Sequence, residues 1–317
     1  MARRRATVLI RPELDDRELH RALREIRPTH QLHGLGADRT GIAWRPVAEL
    51  LRVTGADWDR RAHRVSVLAP VLPPAVADRW AAQCPDDHDA VVVRACVRAT
   101  RARTGTEAAV ETARASCVEA AGRYPEDPTP WLALLGLLRS RDAPLREAVP
   151  VWREIAARDR WSRAAHHEVL RYLSPRSHGS VFDMMGFAWR AASHAPHDSP
   201  LVVLPLTARA EHFAHRLNVG GRDALSANRL WHDPTAAREI ETALHHWFHP
   251  APTPHAEVVA DLNVLAFALV RARLLPEAGQ VFRRIGRDMT PFPWNSLDDP
   301  ERAFTYWRDR SASSADA

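Results

Sequence analysis

The sequence contains no lysine, and all 44 of its Lys or Arg positions are arginine. Alanine and proline are also abundant, a composition typical of coding bias in a high-GC genome. The formal net charge is only +5 over 317 residues. A charge this small favours solubility and gives little support to a nucleic-acid partner.

Cysteine is equally scarce. Cys84, Cys96 and Cys117 are widely spaced and form no CxxC pair. This spacing excludes a disulfide framework and a zinc site built on cysteines. We expect the three side chains to be small buried hydrophobic groups.

Long apolar runs are missing too. The run VLAFALV (264–270) is far shorter than the roughly 20 residues that a membrane span needs. The start MARRRATVLIRPELDD is basic, but its apolar part is too short for a secretion signal. The sequence therefore predicts a cytoplasmic protein without membrane contact, and it indicates no cofactor.

Glycine is limited to 13 positions, and almost no segment alternates apolar and polar residues as a strand does. Apolar residues recur instead at spacings of three and four, which predicts helices. Proline and Asp-Pro pairs separate these segments and suit helix first turns, with Asp or Ser as the N-cap. The clearest helical segments are 46–55, 89–103, 128–141 and 255–273.

Small and large residues recur at the packing positions of paired helices. In 259–291, Ala266 and Ala278 are small positions that let two helices approach, and Phe282 is a large one. This segment resembles one tetratricopeptide repeat, and a similar pattern covers about 105–160. A wider stretch, about 50–215, resembles a group of helical-repeat proteins of high-GC bacteria. That resemblance implies an α-solenoid-like fold and carries no activity to transfer.

These patterns predict an all-α, tetratricopeptide-like solenoid of about six or seven antiparallel helical hairpins. The expected organisation is an N-terminal segment (1–45), partly disordered and with one helix, a repeat domain (46–310) and a disordered tail (311–317). An alternative for the first 45 residues is a small mixed segment, because ATVLI (6–10) has the composition of an isolated strand.

The segment HHEVLRYLSPRSHGSVFDMM (166–185) holds a concentration of histidine and hydroxyl side chains. His167 and Glu168 lack the second histidine of an HExxH zinc motif, and Ser180 lacks a GxSxG context. We interpret the segment as two helices and their turn. Ser180 is the expected N-cap of the second helix, with Asp183 at the third position of a capping box.

Histidine pairs elsewhere give an alternative hypothesis, a metal-dependent enzyme. His212 and His215 are three residues apart, and His245 and His249 are four apart, so each pair lies on one helix face. Together the four could form one metal site between neighbouring hairpins.

A second alternative is a regulator linked to nucleic acid. Arg94, Arg98 and Arg101 share one helix face and could hold phosphate or an acidic peptide. A solvated helix face or intramolecular ion pairs are the commoner explanations of such a stripe, and no aromatic residues interleave with it.

The leading prediction is a non-enzymatic scaffold or adaptor that binds a protein or peptide in the groove of the helical array. The pattern contains no convergent catalytic set. The residues expected to face this groove are Leu132, Arg139, Asn263, Phe267 and Val270. The oligomeric state is left open.

Overall fold

A computed structural model of the protein describes residues 8–30, 43–250 and 254–315. Within these ranges the regular secondary structure is helical, apart from one isolated bridge between Leu9 and Asp288. The predicted all-α class is therefore confirmed. Leu9 of this bridge lies in ATVLI (6–10), the segment for which an isolated strand was the alternative.

The chain forms two compact units, here called the N-terminal unit (residues 16–172) and the C-terminal unit (residues 8–15 with those from 173 onward). The helices of the N-terminal unit are α1 (Arg17–His30), α2 (Arg45–Thr54), α3 (Trp58–Leu68), α4 (Pro74–Gln83), α5 (His88–Ala102), α6 (Glu107–Arg123), α7 (Thr129–Ser140), α8 (Leu145–Arg158) and α9 (Arg163–Tyr172).

The helices of the C-terminal unit are α10 (Val181–His194), α11 (Leu204–Val219), α12 (Gly221–Ser226), α13 (Pro234–Thr242), α14 (Val258–Arg271), α15 (Leu275–Ile285), α16 (Pro291–Trp294) and α17 (Pro300–Ala315). Short 3₁₀ segments occupy Pro200–Val203 and Ala227–Trp231, and a π-helical segment occupies Ala243–Phe248.

Polar caps set many of the helix starts. The side chains of Asp57, Asp87 and Thr106 accept hydrogen bonds from first-turn amides of α3, α5 and α6. Asp233 does the same for α13, with Pro234 as its first residue. These caps satisfy amides that have no partner within the helix, and they confirm the start signals expected from the sequence.

In the N-terminal unit, helices that follow one another in sequence contact each other from α4 to α9, and alternate helices contact as well. Thus α5 contacts α7, and α7 contacts α9. Helix α3 contacts all three of these helices. The core between them is built mainly of Ala, Val and Leu, which allows close helix approach.

The C-terminal unit contains the predicted hairpin 259–291 as α14 and α15, which contact each other. Ala266 and Ala278 are fully buried, as small packing positions should be. Phe282 packs against Phe304 of α17, with ring centroids 5.4 Å apart.

Two boundaries differ from the predicted organisation. The division at Tyr172 falls inside the segment 46–310 that was expected to be one domain. Helix α17 continues to Ala315, although residues 311–317 were expected to form a disordered tail. The extension has a physical basis, because Ser311 is fully buried. The predicted disorder of MARRR (1–5) lies outside the described residues.

In the part of the chain that the structure describes, no helix has both the length and the apolar character needed to cross a bilayer.

Candidate functional site

Three of the predicted groove residues lie in the core of the C-terminal unit. Asn263 and Phe267 are 0% exposed, and Val270 is 1% exposed. Phe267 is surrounded by the rings of Phe213, Trp231 and Trp294 at centroid distances of 5.2–5.8 Å. The expectation that these three side chains line an open groove is therefore corrected, because the aromatic core covers α14.

Asn263 has a structural task instead. Its Nδ2 donates to the carbonyl oxygens of Val259 (2.8 Å) and Asp288 (3.0 Å). Its Oδ1 accepts from Trp294 Nε1 at 2.9 Å and from the Thr290 amide at 3.4 Å. A buried amide with all these partners fixes the turn after α15 against α14.

The other two groove residues lie in the N-terminal unit. Leu132 is half-buried and packs against the core of that unit. Arg139 Nε donates to Glu168 Oε2 at 2.6 Å. Burial alone would raise the pKa of Glu168, but Arg171 and Arg139 outweigh it and lower that pKa. Arg139 is therefore already neutralised within its own unit.

The arginine stripe is largely paired internally. Arg98 contacts Asp78 at 2.7 Å and Ser116 Oγ at 2.9 Å, and Arg94 lies 3.6 Å from Glu119. Arg101 donates to the Pro70 carbonyl oxygen at 3.1 Å. Arg94 and Arg98 thus have acidic partners within the unit, which matches the ion-pair explanation of the stripe.

The four histidines do not form the single metal site that the alternative required. Among the described residues, no three His, Cys, Asp or Glu side chains are placed to hold a metal ion. His245 and His249 are neighbours, with ring centroids 5.8 Å apart. His212 is half-buried, and burial together with the nearby Arg216 and His215 lowers its pKa to about 4.

The segment 166–185 forms the later part of α9, a turn and the start of α10, so the predicted two helices and their turn are confirmed. His166 and His167 are buried in α9, and His166 Nδ1 lies 2.7 Å from the Ser162 carbonyl oxygen. Ser180 caps α10 and forms a full capping box with Asp183. The hydroxyl group is therefore engaged in helix capping.

The site with the clearest chemistry is a cleft of about 420 Å³ in the N-terminal unit. It is bounded by the end of α2, the start of α3, the start of α5 and the turn between α6 and α7. Gly55 ends α2 with φ +57°, a conformation that suits glycine, and this sharp exit leads directly into α3. The cleft is thus built from helix ends.

Arg61 of α3 forms the buried wall of the cleft. Its side chain is 2% exposed, its Nε donates to Asp127 Oδ2 at 2.9 Å, and its Nη1 lies 2.6 Å from Asp89 Oδ1. Its Nη2 is also buried and makes no hydrogen bond to the described residues. A buried donor without an acceptor is costly, and such groups in native proteins often mark sites where a water or ligand binds.

Asp127 connects Arg61 to a histidine. Its Oδ2 lies 2.8 Å from His88 Nε2, and its Oδ1 accepts the Thr129 amide at 2.8 Å. Burial alone would raise the pKa of Asp127, but the His88 hydrogen bond and the Arg61 charge outweigh it and lower that pKa. The carboxylate therefore stays ionised at neutral pH.

His88 is the first residue of α5 and is partly exposed. Its ring stacks on Tyr124, with centroids 4.3 Å apart. The Tyr124 hydroxyl donates to the Asp86 carbonyl oxygen at 2.9 Å. The lining of the cleft includes no Ser, Thr or Cys, so it offers groups for binding and no side-chain nucleophile of those types.

The sequence did not single out this site. Arg61 and Asp127 are 66 positions apart, and His88 and Asp127 are 39 apart. A usable signal was the Asp-Pro turn EDPTP (126–130), whose buried aspartate was treated only as a helix start.

No protein-family model, curated protein or solved structure matches the chain.

Proposed function

We propose that the protein is a non-enzymatic interaction protein built from tetratricopeptide-like helical hairpins, and that it binds its partner in the cleft of the N-terminal unit. Contacts between successive helices from α4 to α9, together with those of α5 with α7 and of α7 with α9, support the hairpin part of this proposal. The same contacts are expected when one hairpin stacks on the next.

The cleft itself, bounded by helix ends and lined by Arg61, is the observation that carries the binding site. Around it, Trp58, Tyr124 and Leu51 supply apolar surface, while His88 supplies a polar ring. A concave, partly apolar site with a few converging polar groups is the usual form of a ligand site.

In this unit we favour a cleft between helix ends as the binding site over a groove along α5, α7 and α9. Helix α3 lies against α5, α7 and α9, the helices whose shared face would form the groove of a solenoid. Arg61 and Arg64 hold α3 in the unit through ion pairs with Asp127 and Asp16. In this proposal α3 occupies that face and forms one wall of the cleft.

The proposal is tested by filling the cleft with a bulky side chain and measuring whether the protein still binds its partner. Ala56 is exposed and lines the cleft, so Ala56→Trp adds bulk there without removing a core group. Ala108 is equally exposed but does not line the cleft, which makes Ala108→Trp the matched control.

Each protein is immobilised and exposed to lysate of the source organism after nuclease treatment, and captured proteins are quantified by mass spectrometry. We expect one stoichiometric protein that the wild type and Ala108→Trp retain and Ala56→Trp loses. Equal capture by both variants, or no stoichiometric protein with the wild type, would contradict the proposal.

A further inference from the structure

We propose that the C-terminal unit carries a second site, which binds a single phosphate group of a small molecule at the end of α14. The residues that hold this group are Arg271, Arg273 and Asn228. The site is independent of the cleft proposed above, because it lies in another unit and uses other residues. Its basis is a pair of arginines at one helix end that have no acidic partner among the described residues.

Arg271 is the last residue of α14 and is half-buried on the aromatic core. Its guanidinium carbon lies 4.9 Å from the ring centroid of Phe213 and 5.0 Å from that of Phe267. Its hydrogen bonding to the described residues is limited to a long contact from Nη1 to Asn228 Oδ1 at 3.3 Å. Ring faces offset only part of the cost of taking a guanidinium out of water. A bound anion would therefore stabilise this arginine.

The Arg271 guanidinium is also accessible to a ligand. Its Nε is buried, but its Nη2 is not buried and makes no hydrogen bond to the part of the chain that the structure describes. Asn228 is exposed, and because its Oδ1 accepts from Arg271, its Nδ2 remains a donor beside the same guanidinium. A ligand at this end of α14 thus meets an open guanidinium edge and an amide donor.

Arg273 supplies the second positive charge. It is exposed, its guanidinium carbon lies 5.3 Å from the ring centroid of Trp307, and it forms no ion pair within the described ranges. Burial, together with the nearby charge of Arg273, lowers the pKa of Arg271 to about 10. Both side chains therefore remain protonated at neutral pH, and each cation is close enough to feel the other.

The turn after α14 gives Arg273 this position at a conformational cost. Its φ is +65°, in the left-handed region that glycine adopts without strain. The Leu274 amide donates to the Leu269 carbonyl oxygen at 2.9 Å, and the Arg273 amide donates to the Val270 carbonyl oxygen at 3.3 Å. In helix ends with this pair of bonds, glycine is the usual residue at the position that Arg273 occupies. The side chain is thus kept where glycine would fit the backbone better.

The charges favour a phosphate group. Two guanidinium groups without acidic partners carry a charge of +2, which matches the charge of about −2 on a phosphate monoester at neutral pH. The carbonyl end of α14 contributes only about −0.5, and this effect falls off within the last turn. A carboxylate would neutralise one of the two cations. A polyanion is bound through a row of cations, whereas this site offers two cations and a neutral amide.

Phenyl phosphate and benzoate are the probes, since both carry an anionic group on a phenyl ring and they differ in charge. Each is titrated into the full chain at about pH 7.5 and constant ionic strength, and calorimetry gives the dissociation constant. We expect phenyl phosphate to bind with one-to-one stoichiometry and about tenfold more tightly than benzoate.

Arg273→Gly is the sharpest variant, because glycine relieves the left-handed conformation while the guanidinium is lost. It should keep the wild-type helical content and weaken phenyl phosphate binding about tenfold. Arg271→Gln should weaken binding at least as much. Arg190 is exposed on α10 and has no ion pair in the described chain, so Arg190→Gln is the control. It should change the affinity by less than about twofold.

Absence of saturable phenyl phosphate binding would overturn the proposal, as would benzoate binding of equal affinity. An equal loss of affinity in Arg190→Gln would also overturn it, because binding would then reflect net charge and not a site. The proposed function is judged separately, since its test uses Ala56→Trp and partner capture in the N-terminal unit.

Discussion

Each unit of the protein buries an arginine, and the two arginines differ in one respect. In the C-terminal unit, Arg209 donates to Glu239 through Nε and Nη2, at 2.7 and 3.0 Å, and through Nη1 to Asp233 and the Leu230 carbonyl oxygen. In the N-terminal unit, Arg61 also holds two carboxylates, but its Nη2 has no partner. All three nitrogen atoms of the Arg209 guanidinium are therefore satisfied within its own unit, whereas Arg61 keeps one buried donor that the described residues leave without a partner.

The two cores reinforce this contrast. The largest buried side chains of the C-terminal unit are aromatic, among them Trp231, Phe267 and Trp294. In the N-terminal unit Arg61 and Arg64 rank among the largest fully buried side chains. One unit is filled by ring packing, and the other is organised in part around buried ion pairs that join helix ends beside the cleft.

The largest expected effect on stability comes from removing one carboxylate partner of each buried arginine. Asp127→Ala and Glu239→Ala each leave a buried guanidinium with less compensation, a change that typically costs about 3–5 kcal/mol of unfolding free energy. Urea unfolding measures both losses, provided the two units are followed by separate probes.

The matched double variants sharpen the comparison. Arg61→Leu with Asp127→Leu should cost less than Asp127→Ala alone, since only the partly exposed Asp89 then lacks its charge partner. The same should hold for Arg209→Leu with Glu239→Leu. A double variant less stable than its single would show that packing around the pair, and not its charge, dominates.

The next effect concerns Asn263, which was expected to face a groove and is buried instead. Asn263→Ala leaves the indole N–H of Trp294 and the Asp288 carbonyl oxygen without this partner, at an expected cost of about 2–3 kcal/mol. The exposed Asn218 provides the control, and Asn218→Ala should change stability by less than about 0.5 kcal/mol. Equal, small changes in thermal and urea unfolding would contradict the structural assignment of Asn263.

Asn263 also shows which features can be predicted from sequence patterns and which cannot. The helices α10, α14 and α15 were predicted because helical periodicity, proline and caps are local signals. The face that Asn263 presents depends on Trp294 and Asp288, 31 and 25 positions away. A repeat motif assigns faces by assuming regular neighbours, and here α16 and the Leu9–Asp288 bridge replace them.

The candidate cleft was missed for the same reason. Arg61 and His88 both contact Asp127, which lies 66 and 39 positions away from them in sequence. For the arginine stripe the sequence showed the candidate residues but not their partners. Its spacing was visible along the chain, but the acids that pair with Arg94 and Arg98 lie on other helices.

A smaller effect is expected from pH, and in the C-terminal unit it centres on His212. The pKa of His212 is about 4 in the folded protein, against an ordinary value of 6.5, because it is partly buried near Arg216. The neutral imidazole is favoured by folding, so its contribution is present above about pH 6.5 and declines as pH falls towards about 4. Allowing for its partial exposure, we expect a loss of roughly 1–2 kcal/mol over this range.

His212→Gln should flatten this part of the stability profile, measured by urea unfolding from about pH 7 to pH 4. The exposed His232 provides the control, and His232→Gln should retain the wild-type slope. An unchanged slope in His212→Gln would mean that other groups produce the acid sensitivity.

The smallest effect compares one helix cap from each unit. Ser180 and Asp183 cap α10 reciprocally, whereas Thr106 caps α6 through a single bond to the Ala109 amide at 3.3 Å. Ser180→Ala should therefore cost about 1 kcal/mol and Thr106→Ala about 0.5 kcal/mol. Ser193, exposed in the last turns of α10, is the control for loss of a hydroxyl. If Ser193→Ala costs as much as Ser180→Ala, the hydroxyl of Ser180 contributes as a surface group and the capping box adds nothing to α10.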